Sequence, residues 1–569
     1  MTTHPAARAS LGHPRFSPFV LVAGAILLLL IAPPSLYLVN VSLHETTADG
    51  GLGSFTTRFY RQIFTERLFA ESLRNTLLYA VGSGLVGIVI GTVQALIVER
   101  TNAPGRQLAF YGAILSLGVP HVLYVVAWLL LLGRSGPINN LISLLPFGGG
   151  LDVYSLWGMT LIEGVGFAPL TFLMMSAALG ATDPAFEESA LMSGAGPLRA
   201  FARITLRMGV PALCGLLLLI FVKAFESFEA PALVGLAGNV NVLTTTIWQS
   251  AHATGAPNFG EAGAYSVCLV AIVSALLLPQ SRLARQAHRY QTVTGKGFRP
   301  RMVDLGRARY AATAILVGLF LLVTIIPLTM LVFASLQPFY EGVTWDALTR
   351  ATLDNFEPLL EPGPFRDAIL NTLVLAGATA SFVVPFTALC AWLAARRAPG
   401  GWILDHLASA PLVFPALILG VAFLNVFVNA PIPLYGTLAS IVIASSMRFL
   451  PYGMRYAFAG VLRIHPDLED AASLSGASRA RAFTRILLPL IASSLIGSWL
   501  LVFLLSAQTV SLPLMLAGPG SEVMAVTLFD LWQNGQVTEL AAMGVVWIVL
   551  MTLASVAFHA LMKRRLIAG

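Results

Sequence analysis

About twelve runs of some twenty predominantly apolar residues divide this chain, each long enough to cross the hydrocarbon core of a bilayer as a helix. Six lie near residues 18–40, 73–98, 108–133, 154–180, 210–235 and 262–280, and six near 310–334, 369–395, 403–428, 434–460, 489–514 and 538–561. In lipid, a backbone N–H or C=O must be paired within its own segment, so open strand edges are excluded and every run is expected to be helical. The chain reads as an all-α integral membrane protein. Its charged residues, 11% of 569, are too few for a water-facing surface, where about 25% is usual. Disorder, a disulfide scaffold and a cytosolic enzyme are therefore poor descriptions.

The first apolar run, from Phe19 to Ala32, follows Arg8 and Arg15 as a secretory leader would. Pro33, Pro34 and further apolar residues then continue it without a small-x-small cleavage site, so it is expected to be a retained span. The net charge of +7 is concentrated in a few loops: Arg285, Arg289, Lys296, Arg299, Arg301 and Arg307 before the seventh run, and Lys563, Arg564 and Arg565 at the end. Placing these on the cytoplasmic side puts both termini there and accounts for the basic balance without nucleic acid. Cys214, Cys268 and Cys390 each sit alone in an apolar run and read as packing residues.

The chain is one unit written twice. Shifting it by 280–296 residues brings Asn75-Thr76-Leu77 onto Asn371-Thr372-Leu373, Ala103-Pro104-Gly105 onto Ala398-Pro399-Gly400, Pro120 onto Pro415 and Pro231 onto Pro513. Six spans is an even number, so two such units must run parallel, related by an axis along the membrane normal. The expected division is a first six-helix repeat at 1–280, a basic linker at 281–309 and a second repeat at 310–569.

The densest match lies outside the apolar runs, in the loop between the fourth and fifth spans of each half. One copy runs from Pro184 through Glu187, Glu188 and Gly194 to Arg199 and Arg203, and the other from Pro466 through Glu469, Asp470 and Gly476 to Arg481 and Arg485. Proline with acids in the first turn suits a helix start, glycine a bend, and arginines four apart share one helical face. Phe201 and Phe483 add an apolar knob beside the arginines. Lipid-facing spans need only stay apolar, so polar loops kept in register twice within one chain point to a partner or a tight geometry.

These loops resemble the cytoplasmic signature of the permease component of binding-protein-dependent ABC importers: Glu-Ala-Ala, three residues, Gly, nine residues, then Ile-x-Leu-Pro. The second half meets it with Asp470-Ala471-Ala472, Gly476, Ile486, Leu488 and Pro489. The first half does so with Glu188-Ser189-Ala190, Gly194, Ile204 and Leu206, where Arg207 replaces the proline. The resemblance implies a bacterial inner-membrane permease with no cofactor of its own. Its implied partners are two cytoplasmic ATP-binding subunits, docked on the loops at Glu187, Glu188, Gly194, Arg199, Arg203, Glu469, Asp470, Gly476, Arg481 and Arg485, and a periplasmic substrate-binding protein. The motor is expected elsewhere, since none of the three lysines (Lys223, Lys296, Lys563) has the Gly-Lys-Ser/Thr context of a phosphate-binding loop.

Gly82-Ser83-Gly84-Leu85-Val86-Gly87 fits a dinucleotide fingerprint but lies mid-span, where with Gly91 it reads as a helix-packing face. His121 reads as a solitary, hydrogen-bonded histidine. Charges inside spans are costly, so Glu163, Lys223, Glu226, Glu229, Arg448 and Arg455 require a reason. Two readings remain open: structural pairing, as Lys223 with Glu226 or Glu163 with Arg448, and a cation path lined by Glu226 and Glu229. The segments 227–235 and 242–247, with Ala525–Trp532, resemble the ferric-iron branch of fused two-repeat permeases; thiamine, polyamine and aminoethylphosphonate importers are related alternatives. A proton- or ion-coupled secondary transporter would explain the buried acids but not the duplicated loops. An intramembrane enzyme finds no nucleophile–base pair or metal-ligand spacing.

Overall fold

The computed structural model describes residues 17–47, 51–144, 150–180, 189–190, 192–194, 196, 203, 206–253, 257–287, 302–429, 431 and 433–568. Helices dominate; the strands among the described residues are one short antiparallel hairpin, His44–Thr46 with Leu52–Phe55. Among the described residues, eight helices are long and apolar enough to cross a membrane, or up to ten if two bent pairs each count as a span. The runs expected near 210–235 and 434–460 fall outside that set. The first is the short helix Leu206–Phe225 with a separate turn behind it, and the second is Leu438–Leu462, which carries Arg448 and Arg455.

The expected third and ninth spans are broken rather than continuous. Arg106–Gly118 stops and His121–Leu132 begins across Val119 and Pro120; Gly401–Val413 and Ala416–Val428 are bent by 104° across Phe414 and Pro415. A proline ring excludes the preceding residue from the α region, and both Val119 (ψ 128°) and Phe414 (ψ 113°) are extended accordingly. Beyond each break the helix is enclosed on all sides, with Val122–Leu132 and Ala416–Leu424 all buried. These two helices form the centre of the core.

The fifth span unwinds in both halves at the same place. Leu206–Phe225 ends and Glu226, Ser227 and Phe228 leave the helix before the wide turn Pro231–Gly235; Ala492–Ala507 ends and Gln508 to Leu512 intervene before Pro513–Leu516. Non-helical backbone at membrane depth is tolerated only where protein or an aqueous cavity satisfies it.

The halves interlock through their first helices. Pro18–Ser42 packs on Phe259–Ala287 of its own half and on Gly401–Ser409 and Ala416–Val428 of the other. Reciprocally, Ala308–Phe320 packs on Arg106–Gly118, and Ile326–Ser335 on His121–Leu132. Within the first half the glycine face seen in the sequence joins Arg67–Arg100 to Leu156–Gly180: a Cβ on Gly87 would lie 2.8 Å from the Phe167 Cβ and 2.9 Å from the Gly164 carbonyl.

The duplicated Asn-Thr pair acts as a clamp. Thr76 Oγ1 accepts the Leu243 N–H (2.9 Å) and Asn75 donates its amide to the Asn241 carbonyl (3.0 Å). In the second half Thr372 accepts the Met524 N–H (2.8 Å) and Asn371 donates to the Glu522 carbonyl (2.9 Å). Each second span thereby caps the short helix, Leu243–Ala251 or Met524–Gln533, that precedes the sixth span, using otherwise orphaned N-terminal donors.

Candidate functional site: a central cleft and a paired loop

The unwound fifth spans face each other. Their repeat-related residues (Lys223, Glu226 and Glu229 in one half, Leu505, Gln508 and Ser511 in the other) line one cleft of about 230 Å³ with His121, Glu163 and Arg448. Ser511 Oγ donates to Glu229 Oε1 at 3.3 Å. Two residues that correspond under the repeat can hydrogen-bond only where both lie beside the axis relating the halves, so this contact marks the axis. Gln508 also crosses, donating to the Gly118 carbonyl at 3.4 Å, just before the Pro120 break.

Of the two structural pairings expected for the acids, one is present. Lys223 Nζ lies 2.8 Å from Glu226 Oε1, as the structural pairing required. Glu163 does not pair with Arg448: its partner is His121, Nε2 to Oε2 2.7 Å, with the Glu163 side chain 2% exposed. The fourth and third spans of one half pack more closely than the fourth spans of the two halves, which satisfies Glu163 locally and leaves Arg448 at the cleft. His121 is thus hydrogen-bonded as expected but not solitary. Glu229 does not continue the helical face of Lys223 and Glu226, because the helix ends at Phe225 and the chain turns Glu229 toward the other half.

The second site lies at the end of the bundle that carries the linker. In the second-half loop, Asp467–Leu474 is a helix begun by Pro466 with Asp467, Glu469 and Asp470 in its first turn. Gly476 follows in the left-handed region (φ 82°), with open space where a Cβ would stand, and Ser478 caps Arg479–Ala482 by accepting the Arg481 N–H. In the first-half loop Gly194 takes the same conformation (φ 85°), while Glu187, Glu188 and Arg199 lie outside the described residues. Arg203, Asp470, Arg481 and Arg485 are exposed.

Glu469 turns inward. One carboxylate oxygen accepts Trp392 Nε1 at 2.7 Å; the other meets Arg396 at 2.9 Å from Nε and 2.7 Å from the terminal nitrogen. Arg396 also donates to the Ile464 carbonyl (2.9 Å), and Phe483 packs on Trp392 with ring centroids 4.8 Å apart. The loop is therefore bolted to the end of Pro364–Ala395. Arg100, which matches Arg396 in the repeat, donates to the Leu179 carbonyl at 3.0 Å. Phe483 is thus drawn inward, while Phe201 lies outside the described residues; among the described residues of the two loops the apolar side chains presented outward are Leu474 and its counterpart Met192, each 90% exposed, which sequence reasoning missed. Their signal was available: an apolar residue two places before the bend glycine in both copies.

A family model described as the binding-protein-dependent transport system inner membrane component matches residues 87–289 and 383–567. A putative ferric transport system permease protein FbpB 1 of Haemophilus influenzae is 26% identical over 469 residues, covering 80% of this chain and 72% of that protein. The ferric transport system permease protein FbpB of Actinobacillus pleuropneumoniae is 26% identical over 481 residues, covering 82% and 68%. A putative 2-aminoethylphosphonate transport system permease protein PhnU of Salmonella typhi is 27% identical, covering 44% of this chain and 86% of that protein. Among solved structures, a bacterial ABC transporter that imports alginate aligns over 46% of this chain at 19% identity, with a TM-score of 0.39.

Proposed function

The chain belongs to the inner-membrane components of binding-protein-dependent transport systems, and we propose from this premise that its substrate is ferric iron. It is the multi-pass permease of an ABC importer, with both repeats in one chain. The ferric-iron reading is supported by relatives named for ferric transport that align with most of the chain. In this reading a periplasmic binding protein delivers the ion, and two ATP-binding subunits dock at the two loops on the cytoplasmic side, where both termini also lie. The division at 1–280, 281–309 and 310–569 follows the repeat.

The observation that carries the coupling is the matched pair of loops, each with a left-handed glycine and a fully presented apolar knob, Met192 or Leu474. When the ATP-binding subunits close, each loop moves with them. Glu469, Trp392 and Arg396 make the second loop one body with the second span of its half, so the motion reaches the helices around the cleft. Alternating access then requires the Glu229–Ser511 contact at the axis to open as the halves part, exposing Glu226 and Glu229 as the path for a hard cation, which prefers carboxylate oxygen.

Uptake of radiolabelled ferric iron by proteoliposomes containing the complete importer tests this. The expectation is ATP-dependent uptake that excess unlabelled ferric-loaded binding protein suppresses and 2-aminoethylphosphonate does not. Suppression by the phosphonate would favour the alternative carried by the half-length phosphonate relatives.

A further inference from the structure

In a duplicated chain, a charge that only holds the fold is expected in both halves, so charges kept in one half alone point to the solute. With Pro169 on Pro451, Glu226 and Glu229 correspond to the uncharged Gln508 and Ser511, while Arg448 and Arg455 correspond to Gly166 and Leu173. The halves have diverged in opposite senses. Acids stand where the first half's fifth span unwinds, and arginines stand on the second half's Leu438–Leu462.

Within the cleft, two of the acids are already engaged by their own half: Glu163 by His121 at 2.7 Å and Glu226 by Lys223 at 2.8 Å. Glu229 and Arg448 are left, one on each side of the axis. Glu229 accepts from the Ser511 hydroxyl and the Phe228 N–H, both neutral donors. Arg448 has the Phe449 ring 6.0 Å from its guanidinium carbon, and makes no ion pair or hydrogen bond among the described residues. An unpaired charge at membrane depth is costly and calls for a partner of the opposite sign. The basic side continues toward the loops. Arg455 lies seven residues beyond Arg448, two turns on and on the same helical face. With Arg463 it lines a second hollow of about 360 Å³, opposite Ser493, Ser494 and Gly497 of the fifth span. Both arginines are exposed and make no ion pair among the described residues. A bare cation leaving the cleft by that route would pass one arginine after another; a solute that also carries negative charge would be drawn along them.

We propose that Arg448 binds an oxyanion on the cargo while Glu229 faces its cationic part, so that the solute crosses as a dipole held by one charge from each half. The guanidinium fork suits a carboxylate, phosphate or phosphonate, which it can grip through two parallel N–H donors. The cleft, at about 230 Å³, is smaller than the pockets of about 300–1,000 Å³ that take drug-sized ligands, and so suits a small solute. Two cargoes share this chemistry: a ferric ion that keeps an oxyanion ligand, and an aminoalkylphosphonate. Either one, bridging Glu229 and Arg448, also ties the two halves together across the axis for as long as it is bound.

Binding is tested on the full-length chain in nanodiscs, by its melting temperature during titration with inorganic phosphate and with 2-aminoethylphosphonate at constant ionic strength against chloride. A rise is expected with at least one of them. Arg448→Gln should need roughly tenfold more of that ligand for the same rise, as the loss of a charge-assisted contact requires, and Arg448→Lys should fall between. No rise with either ligand, or a rise that survives Arg448→Gln unchanged, overturns the proposal. The source is then distinguished by uptake into proteoliposomes holding the complete importer, with radiolabelled iron on the binding protein and radiolabelled phosphate as the sole oxyanion supplied. Phosphate entering in fixed proportion to iron supports the metal–oxyanion cargo, and uptake of 2-aminoethylphosphonate in place of iron assigns the same site to a phosphonate. Iron entering without phosphate overturns the dipolar cargo. The uptake arm rests on the importer reading and the binding arm does not: a parent that takes up neither solute, yet keeps the Arg448-dependent rise, counts against that reading and not against the site.

Discussion

Replacing Glu469 by alanine should disconnect the second loop from the helices it moves. The carboxylate is 13% exposed and holds three short donors, from Trp392 and Arg396, whose own side chain is 18% exposed. A hydrogen bond to a charged group contributes about 1.5–3 kcal/mol, and breaking a buried pair by removing one partner costs about 3–5 kcal/mol. Because this pair lies at the membrane boundary with some access to water, about 3 kcal/mol is the appropriate scale, which corresponds to roughly a hundredfold loosening of the docked loop. The cost falls on the loop's attachment and not on the spans, so insertion and the bulk of the thermal transition should persist. In proteoliposomes, Glu469→Ala is expected to retain ATP hydrolysis while uptake per ATP falls at least tenfold. Glu469→Gln, which keeps an acceptor for the Trp392 N–H, should fall between the two. Parental uptake per ATP in Glu469→Ala would refute the idea that this carboxylate transmits the motion.

Three further outcomes are expected. Gly476→Pro fixes φ near −65° where the loop needs 82°, so uptake should be abolished while the protein still inserts and purifies; normal uptake would remove the bend from the mechanism. Thr372→Val together with Asn371→Ala strips the cap from Met524–Gln533 and should cost about 1–2 kcal/mol, read as a lower melting temperature in detergent, with Thr76→Val and Asn75→Ala giving a matching loss in the first half. Glu226→Gln with Glu229→Gln should reduce iron uptake at least tenfold without dissociating the complex, and unchanged uptake in a stable complex would exclude the carboxylate path.

Hydropathy made the helices legible because crossing lipid demands length and apolarity, which a sequence displays directly. It did not display the breaks. Pro120 and Pro415 were visible as a repeated pair, yet an apolar run looks the same whether it goes straight or turns by 104°, so both spans read as continuous. The unwinding after Phe225 was hidden likewise, and Lys223, Glu226 and Glu229 were placed along one face that the chain does not keep. Pairings across spans depend on packing that spacing does not encode: Glu163 could be matched to Arg448 on charge, but His121, 42 residues away, is the group that lies beside it. The clamp shows the same limit. Asn371 and Thr372 were readable as a repeat marker, while the helix they cap begins some 150 residues later. Within the loops, the glycine bend was readable because positive φ favours one residue type, whereas the inward turn of Glu469 depended on Trp392 and Arg396, which lie outside the motif.

Gentle detergent purification of the tagged chain from its own membrane, with mass spectrometry of what accompanies it, addresses the coupling of the two loops to an ATP-driven motor. A variant with Glu188→Arg and Asp470→Arg would be purified alongside. An ATP-binding subunit that accompanies the parent and is lost from the folded variant is the predicted result. Its absence from both forms, when the parent complex is shown intact by its uptake activity, would contradict the account.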